Sequence, residues 1–385
     1  MLKRNIKRFS MISLVLSMVF ITSSCSLDNT KNKTNEEAKT ASKELDDSAA
    51  KEEKDKKEKE QKALEEAEKN KETEILLSFA GDSTLGTDKN FNQSTSLPAM
   101  LRAKNNDYAY FFKNVKPIFE KDDLSIVNLE GPLTKHDKIN TNKQFNFKGD
   151  PELAKALVEG DIEAVNLANN HTFDYGQVGF KDTKKALEDN KINYFGAGHK
   201  YTKEIKGVKF GFLGYEIWNE SSDMKAKIKK DIDELKSQGA IVVLTAHWGI
   251  ERDYKPYAVQ KNMAHFAIDN GADLIIGHHP HVLQSVEKYK DKFIFYSLGN
   301  FAFGGNSNPS DKDTMVVQVQ YKFKGNNIDN VGVKVIPTSI SSVNHKNDYC
   351  PTPAQGAEKN RIFKKLNSLS INVGFEFDDN FHYVK

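Results

Sequence analysis

Near residue 75 the chain reads Ile75-Leu76-Leu77-Ser78-Phe79-Ala80-Gly81-Asp82. A short apolar run that ends in glycine and an acidic residue is typical of a buried strand followed by a tight loop. Four later runs have the same form, each ending in a polar cluster: 124–129, 164–168, 241–246 and 274–276. Helix-patterned segments lie between them, at 151–159, 178–190, 222–237 and 258–270. This alternation predicts an α/β fold with a substantially parallel inner sheet.

The C-terminal part of the chain has a different pattern. Residues 316–323 alternate between apolar and polar side chains, and residues 331–336 also resemble a strand. Because Gly325-Asn326-Asn327 between them suits a turn, the pattern predicts an antiparallel hairpin. We expect this hairpin to flank or complete a second sheet and to be followed by a helix over 362–369.

These patterns divide the chain into four segments. We expect a signal peptide with a lipobox-like cysteine at 1–25, a disordered charged linker at 26–73 and a folded core at 74–304. Residues 305–385 supply C-terminal strands and a helix that complete the same domain. A hydrophobic content of 38% and an aromatic content of 10% are enough to build a core. Two cysteines exclude a small disulfide-stapled scaffold.

The first 25 residues have the features of an export signal. Basic residues precede an apolar run at 11–21, and small residues lead to Cys25. This is a secretory pattern, and the run is shorter than the roughly 20 apolar residues that span a bilayer. A cysteine after small residues resembles a bacterial lipobox, although Thr22 stands where that motif usually has leucine. The resemblance implies lipidation of Cys25 and anchoring to the outer face of the cell membrane. Ordinary secretion, with Cys25 discarded, is the alternative.

The segment at 26–73 consists mostly of Lys, Glu, Asp, Asn, Ser and Ala. It cannot bury enough apolar surface to offset the entropy of ordering it. Glu–Lys pairs four residues apart could make it partly helical, but it has no apolar stripe to face a core. We interpret it as a solvated stalk, with a partner-binding or nucleic-acid-binding role as the alternative. The net charge of +2 excludes the strongly basic balance of a dedicated nucleic-acid binder.

The polar clusters at the strand ends carry the candidate chemistry. In open α/β sheets, ligands bind at the carboxyl ends of the strands, so these clusters could meet in one place. The candidate metal ligands are imidazole, carboxylate and amide groups: Asp82, Glu130, Asn170, His247, His279 and His281. Mixed nitrogen and oxygen donors suit zinc, manganese or iron and argue against a thiolate site. We therefore expect one or two divalent ions.

Two further residues complete a hydrolytic arrangement. His171 follows a candidate ligand without being needed as one, so it is placed to protonate a leaving oxygen. Asp174 could orient His171. A pair of cations about 3.5–4 Å apart would activate water and neutralise a phosphoryl group under attack. Glu251 could support the ligands, with a solvated glutamate as the alternative, and Asn300 could line the pocket, with a loop-capping role as the alternative.

Six blocks of the sequence closely resemble the CapA-type poly-γ-glutamate capsule-biosynthesis proteins. They occur in the family's order and cover about 75–304: Gly81-Asp82-Ser83-Thr84-Leu85-Gly86, Asn128-Leu129-Glu130-Gly131-Pro132, Asn166-Leu167-Ala168-Asn169-Asn170-His171, Ala246-His247-Trp248-Gly249, Gly277-His278-His279-Pro280-His281-Val282 and Tyr296-Ser297-Leu298-Gly299-Asn300-Phe301. The family is similar in fold to calcineurin-like metallophosphoesterases. The resemblance therefore implies an α/β fold of four layers, with two mixed sheets flanked by helices.

The resemblance also assigns roles to the candidate residues. It implies that Asp82 is the first-strand ligand and that Glu130 takes the place of a bridging aspartate. The remaining matches are an Asn-His pair, a lone histidine and a final His-x-His: Asn170 and His171, His247, and His279 and His281. One departure concerns Thr84, which stands where those phosphoesterases have a histidine ligand. One ion, held by Asp82, Glu130 and His281, is therefore better supported than two, and His278 could be a substitute ligand or could support one.

Two functions fit these observations. The first is an extracellular metal-dependent hydrolase or transferase of the metallophosphoesterase type. It would act in the biosynthesis of poly-γ-glutamate or a related anionic envelope polymer, beside membrane synthase subunits. The second is a non-catalytic polymer-binding or synthase-assembly factor that retains the fold, which the Thr84 departure and the membrane anchor favour. Neither function involves nucleic acid.

Overall fold

A computed structural model describes residues 51, 53–66, 68–139 and 143–384 of the chain. The expected signal peptide, Cys25 and the first half of the charged linker lie outside these described residues. No helix among the described residues is both long and apolar enough to cross a membrane. The chain divides into two units at residue 66.

The unit before residue 67 contributes a helical segment to the described residues. Residues 51 and 53–66 are helical, and their side chains are exposed. Glu53 and Lys57 form an ion pair of 2.7 Å one turn apart. This segment of the expected linker is therefore helical, and the part of it that the structure describes buries no apolar stripe.

The unit from residue 67 onward contains two large sheets and a two-stranded ribbon, with strands numbered along the chain. The larger sheet comprises β1 (Glu72–Thr84), β3 (Leu124–Leu129), β5 (Ala164–Asn166), β6 (Asn193–Phe195), β13 (Asn300–Phe303), β14 (Asp313–Lys324), β15 (Asn327–Ser339), β16 (Thr352–Pro353) and β17 (His382–Val384). The second sheet comprises β7 (Tyr201–Ile205), β8 (Val208–Ile217), β9 (Ile241–Trp248), β10 (Leu274–His278), β11 (Val286–Tyr289) and β12 (Lys292–Phe295). The ribbon pairs β2 (Thr87–Asp88) with β4 (Phe147–Lys148).

Both large sheets are mixed and have parallel centres. The larger sheet has the order β16-β15-β14-β1-β3-β5-β6, with β13 beside β1 and β17 beside β15. On one side of β1, the pairs β1–β3, β3–β5 and β5–β6 are parallel. On the other side, the pairs β1–β14, β14–β15 and β15–β16 are antiparallel. The second sheet has the order β11-β12-β10-β9-β8-β7, and its inner pairs are parallel. The predicted parallel inner arrangement is therefore confirmed, and it occurs in both sheets.

Helices cover the outer faces of the sheets, except the last one, which packs its buried side chains into the cluster between the sheets. They span Leu97–Ala103, Lys116–Phe119, Ala154–Glu159, Gly176–Asp189, Ser222–Ser237, Ala258–Asp269 and Gly356–Leu369. Shorter 3₁₀ turns occupy Gln93–Thr95, Tyr108–Phe111 and Pro151–Leu153.

Three apolar clusters separate the layers. Phe79 of the larger sheet and Phe295 of the second sheet belong to a cluster between the sheets. Because side chains alternate along a strand, the neighbouring Val243 and Val242 of β9 face opposite ways. Val243 joins the central cluster and Val242 the cluster under the outer helices of the second sheet. A third cluster, which includes Val127, lies under the helices of the larger sheet. The predicted four-layer α/β architecture, with two mixed sheets flanked by helices, is thus confirmed.

The C-terminal hairpin occupies a different place from the expected one. β14 and β15 form the predicted antiparallel pair, but β14 adds to β1, from Glu72 opposite Lys324 to Phe79 opposite Val317. The expectation that the hairpin flanks or completes a second sheet is therefore wrong. Alternation shows which residues face a core, and both sheets share the central core, so the pattern fits either sheet.

The strand registers bring the carboxyl ends of several strands to the same level. Asp82 at the end of β1 lies opposite Asn128 on β3 and Asn300 on β13. In the second sheet, His247 on β9 lies opposite His278 on β10. The polar residues that follow the apolar runs therefore gather at one edge of each sheet.

Replacing Asp122 with asparagine should stabilise the protein at high pH. Burial raises the pKa of this half-buried carboxyl from 3.8 to about 7. The unfolded chain therefore loses its proton more readily, and the folded state bears an increasing cost as pH rises from about 4 to above 7. Asparagine removes that cost and can still accept the hydrogen bond that Ser125 Oγ donates at 2.7 Å.

We expect the free energy of unfolding to increase by about 1–2 kcal/mol at pH 8 and to be unchanged below about pH 4. Urea denaturation at the two pH values measures both quantities. A gain of the same size at both would contradict the assignment.

Candidate metal centre

Asp82 lies at the centre of the gathered strand ends and is fully buried. Its Oδ1 accepts a hydrogen bond of 2.9 Å from Asn128 Nδ2 and lies 3.0 Å from His278 Nδ1. Its Oδ2 accepts the backbone N–H of His279 at 3.1 Å and lies 3.4 Å from His281 Nδ1. Burial alone would raise the pKa of Asp82, but the imidazoles of His278 and His281 hold it well below its usual value. This carboxylate is therefore charged and fixed in position.

Glu130 has a different environment. It is fully buried, and among the described residues neither of its carboxylate oxygens has a hydrogen-bond partner. The Nε2 atoms of His171, His247 and His281 each lie 3.9 Å from Glu130 Oε1. Burial raises the pKa of Glu130 to about 8. Two atoms that each lie about 2.1 Å from one cation are at most about 4.2 Å apart, so a shared ion can span these distances.

His247 and Asn170 form the next pair in the site. Asn170 Oδ1 lies 2.8 Å from His247 Nε2. His247 is fully buried, which holds its pKa well below its usual value. Its Nδ1 has no hydrogen-bond partner in the described part of the chain. His247 is thus a neutral imidazole in a polar cluster, which is the state that binds a metal.

The loop after β10 supplies the last two histidines. His279 and His281 have φ angles of +96° and +58°, a region that costs a non-glycine residue about 1–3 kcal/mol. Burial lowers the pKa of His279 to about 3. Burial also disfavours charge on His281, but Glu130 and Asp82 outweigh it and raise the pKa to about 9. Despite this strain, the loop places nitrogens of both rings within 4.8 Å of each other.

His171 and Asp174 lie together beside this cluster. Asp174 Oδ2 is 2.7 Å from His171 Nδ1, which leaves Nε2 facing Glu130. The backbone N–H of Phe147 donates to the same carboxylate oxygen at 2.8 Å, and Lys143 Nζ lies 2.6 Å from Asp174 Oδ1. Burial lowers the pKa of His171. The imidazole is therefore oriented on one side and open on the other, as proton transfer requires.

The remaining predicted residues lie at the margins of the cluster. Asn300 Oδ1 is 2.8 Å from His281 Nδ1 and fixes that ring. His278 contacts Asp82, as described above, and the nearby hydroxyl of Thr84 is buried without a partner among the described residues. Glu251 is exposed, and its carboxylate lies within 4.8 Å of nitrogens of His279 and His281.

The structure therefore brings all of the predicted core-domain site residues into one region. Asp82, Glu130 and His281, expected to hold the first ion, have donor atoms within 4.8 Å of one another.

The sequence analysis assigned no role in the site to several of its residues. Asn128 links three strand ends, because its side chain donates to Asp82 and accepts from Asn166 Nδ2 at 2.9 Å. The sequence signal that could have identified Asn128 is its position at the polar end of a strand. Lys143 and Trp218 come from loops with no pattern. The indole ring of Trp218 lies edge-on to His279, with ring centroids 4.8 Å apart.

The donor set fits a divalent cation. Buried polar atoms almost always have a partner. Here four atoms of the candidate ligands lack one among the described residues: both oxygens of Glu130, and Nδ1 of His247 and His279. Carboxylate and imidazole groups in this mixture suit zinc, manganese or iron.

Comparison with known proteins agrees with the resemblance noted from the sequence blocks. A family model described as bacterial capsule synthesis protein PGA_cap matches residues 76–305. The capsule biosynthesis protein CapA of Bacillus anthracis is 34% identical over 284 residues, which cover 67% of this chain and 66% of that protein. The PGA biosynthesis protein CapA of Bacillus subtilis (strain 168) is 30% identical over 292 residues, which cover 70% and 73%. The match thus spans slightly less than two thirds of the first relative.

A solved structure, that of purple acid phosphatase PPD1 from yellow lupin seeds, aligns with a TM-score of 0.33 at 10% identity. The alignment covers 76% of this chain and 56% of the lupin protein.

The family model covers more than half of the chain and includes every residue of the candidate metal centre. On that match, the chain belongs to the bacterial capsule synthesis protein PGA_cap family.

Proposed function

We propose that this protein takes part in poly-γ-glutamate biosynthesis as a metal-dependent hydrolase or transferase of the phosphoesterase type. The names of its relatives from the two Bacillus species supply the polymer context. The observation that carries the chemistry is Glu130, a buried carboxylate with no hydrogen-bond partner among the described residues, which faces three imidazole nitrogens at 3.9 Å. Synthase subunits in the membrane are the expected partners.

The candidate site residues would have distinct roles in metal binding and proton transfer. Asp82, Glu130 and His281 would hold one divalent ion, while the remaining ligand candidates would hold a second: Asn170, His247 and His279. A bound ion would supply an activated water and neutralise charge on the phosphoryl group. His171 would then give its Nε2 proton to the leaving oxygen, and Asp174 would hold the ring in the required orientation.

Replacing His171 with alanine should reduce turnover about 10²–10⁴-fold, the usual contribution of a positioned acid. The metal content should stay near that of the wild type, because His171 is not among the expected ligands. His247→Ala should lose both turnover and metal. Turnover of phosphodiester and γ-glutamyl substrates with Mn²⁺, Zn²⁺ or Fe²⁺, together with elemental analysis, measures both quantities. Equal activity in the wild type and both variants would overturn the proposed chemistry.

A second function, in polymer binding or synthase assembly, is favoured by Thr84. This residue offers a buried hydroxyl where the related phosphoesterases have a histidine ligand, so the first ion would lack one nitrogen donor. Under this function the chain would bind poly-γ-glutamate or the synthase without any turnover. Pull-down with the polymer and with synthase subunits tests it, and the absence of both interactions would reject it.

We also propose that the protein is anchored by a lipid on Cys25 at the extracellular face of the membrane. The support is the lipobox-like pattern of the first 25 residues. Fractionation of cells that carry Cys25→Ala tests the anchor. The protein should leave the membrane fraction, and its retention there would argue against lipidation.

A further inference from the structure

A cavity of about 620 Å³ opens beside the candidate metal centre. His171, His281 and Asn300 belong to both, so the cavity continues directly from the metal ligands. Its size is sufficient for a small organic group, since ligand pockets usually measure about 300–1,000 Å³. The cavity is therefore open to a group attached to a molecule that reacts at the centre.

One side of the cavity is formed by four phenylalanines, Phe91, Phe145, Phe147 and Phe303, which we call the aromatic wall. The ring centroids of Phe91 and Phe145 are 5.5 Å apart, and those of Phe147 and Phe303 are 6.4 Å apart. Phe145 and Phe147 are parallel to within 5°, with centroids 6.4 Å apart. Phe145 is 39% exposed, so its ring is available to a ligand. The four rings adjoin one another in a chain, in which Phe145 and Phe147 are parallel and Phe147 and Phe303 are nearly perpendicular, at 74°.

The aromatic wall touches the reacting groups directly. The ring of Phe147 lies 4.4 Å from the ring of His171, and that of Phe303 lies 4.9 Å from that of His281. Because His171 would protonate the leaving oxygen, the wall lies on the side of the leaving group. Planar rings stack favourably on such faces, whereas saturated groups gain only from burial.

The charged groups around the cavity do not suit a polyanion. Apart from its histidines, the lining carries Glu251, Arg252 and Asp311. Asp311 is already engaged, because Lys365 Nζ lies 2.6 Å from its carboxylate and Tyr254 OH donates to it at 2.8 Å. Among the described lining residues, Arg252 is the one arginine or lysine, and one guanidinium cannot neutralise a run of carboxylates. The cavity is therefore better matched to an uncharged planar group than to several glutamate units.

We propose that the substrate of this centre is a phosphate ester whose leaving alcohol carries a planar ring, as in an aryl or nucleoside ester. The proposal rests on the phosphoesterase function proposed above and deepens it. In the reaction, a water oxygen forms a bond to phosphorus and the bond from phosphorus to the ring-bearing oxygen breaks. That oxygen takes a proton from His171 Nε2, and the proton that water loses returns to His171 through solvent. The products are the ring-bearing alcohol and the hydrolysed phosphate.

Two matched substrate pairs test the proposal. Adenosine 5′-phosphate and ribose 5-phosphate carry the phosphate on the same ribose hydroxyl, and only the first has a planar base in its leaving alcohol. Benzyl phosphate and cyclohexylmethyl phosphate differ only in whether the ring is planar. Turnover by the metal-loaded chain is measured as phosphate release, and calorimetry measures the binding of the four corresponding alcohols. We expect the planar member of a pair to show about tenfold higher kcat/KM and tighter binding.

Phe91→Leu and Phe145→Leu supply the structural test, because each keeps an apolar side chain but removes a π face. Both should bring the planar preference close to one. Tyr383→Leu is the matched control, since Tyr383 is an exposed aromatic residue on β17 that does not line the cavity. It should retain the full preference.

The outcomes separate the inference from the function on which it rests. A preference in both pairs indicates planar rings in general, and one confined to the adenosine pair indicates nucleoside esters; both support the proposal. Equal turnover and equal binding within both pairs would overturn it and leave the proposed function intact. Tight binding of planar alcohols without phosphate release from any ester would overturn the hydrolytic function and show that the cavity binds rings.

Discussion

Replacing Glu130 with glutamine is expected to lower metal-dependent turnover by at least about a hundredfold, because even residues that only support metal ligands contribute about 10–100-fold. Glutamine keeps the shape of the side chain but removes the negative charge that faces three imidazole nitrogens. The bound metal should fall well below the wild-type amount, and the rise in melting temperature on adding metal should disappear. Elemental analysis, a turnover assay and thermal unfolding with and without added metal measure these effects.

The same substitution should not weaken the metal-free fold. Glu130 is buried without a hydrogen-bond partner among the described residues, so its removal takes away a costly group. Glu287 is the matched control: it is also buried, but its carboxylate accepts the Tyr296 hydroxyl at 2.6 Å. Glu287→Gln should keep metal and turnover and lose about 1 kcal/mol of stability. Normal metal content and turnover in Glu130→Gln would contradict the assignment of this carboxylate as a ligand.

A chain that ends at residue 305, where the family match stops, should fail to fold. It would lose β14, which pairs with β1 along eight residues from Glu72 to Phe79. It would also lose apolar side chains of the central core, such as Val317 and Val319. Each such side chain contributes about 1.5–3 kcal/mol on burial, and a whole domain is stable by only about 5–15 kcal/mol. Soluble yield and circular dichroism measure the outcome.

A shorter truncation provides the control. A chain that ends at residue 378 loses only β17, which pairs with β15 over three residues. It should fold and melt cooperatively, with a modest loss of stability. A cooperatively folded chain that ends at residue 305 would show that the C-terminal strands form an addition to the domain and are not part of its core.

The sequence predicted where the strands lie in the chain better than it predicted which strands pair with each other. Apolar runs such as 75–80 and 241–246 stand out because these strands are buried on both faces. Their polar ends could be assigned to one site because parallel strands deliver their carboxyl ends to one edge. The hairpin at 313–339 was placed in the wrong sheet, since alternation reports a buried face and says nothing about the adjacent strand.

The sequence predicted which candidate ligands come together, but it did not predict the residues that surround them. Histidine, aspartate and glutamate at strand ends can be recognised in a sequence, because few other residue types bind a metal ion or transfer a proton. Lys143 and the phenylalanines of the aromatic wall come from loops and from the strands β4 and β13, and only the tertiary fold brings Lys143 to Asp174 and the four rings to one cavity. Asn128 is an intermediate case. Its position at a strand end could be read from the sequence, but its hydrogen bond to Asp82 depends on the register of β1 and β3.

The helix Gly356–Leu369 lies beyond the part of the chain that matches the family, yet it holds one rim of the cavity. Arg361 and Lys365 bind Asp313 at 2.8 Å and 3.0 Å, and Lys365 also reaches Asp311 on the cavity lining. A change in this helix would shift that rim and leave the histidines in place. Substitutions in this helix could therefore change which groups the cavity accepts without altering the candidate metal ligands.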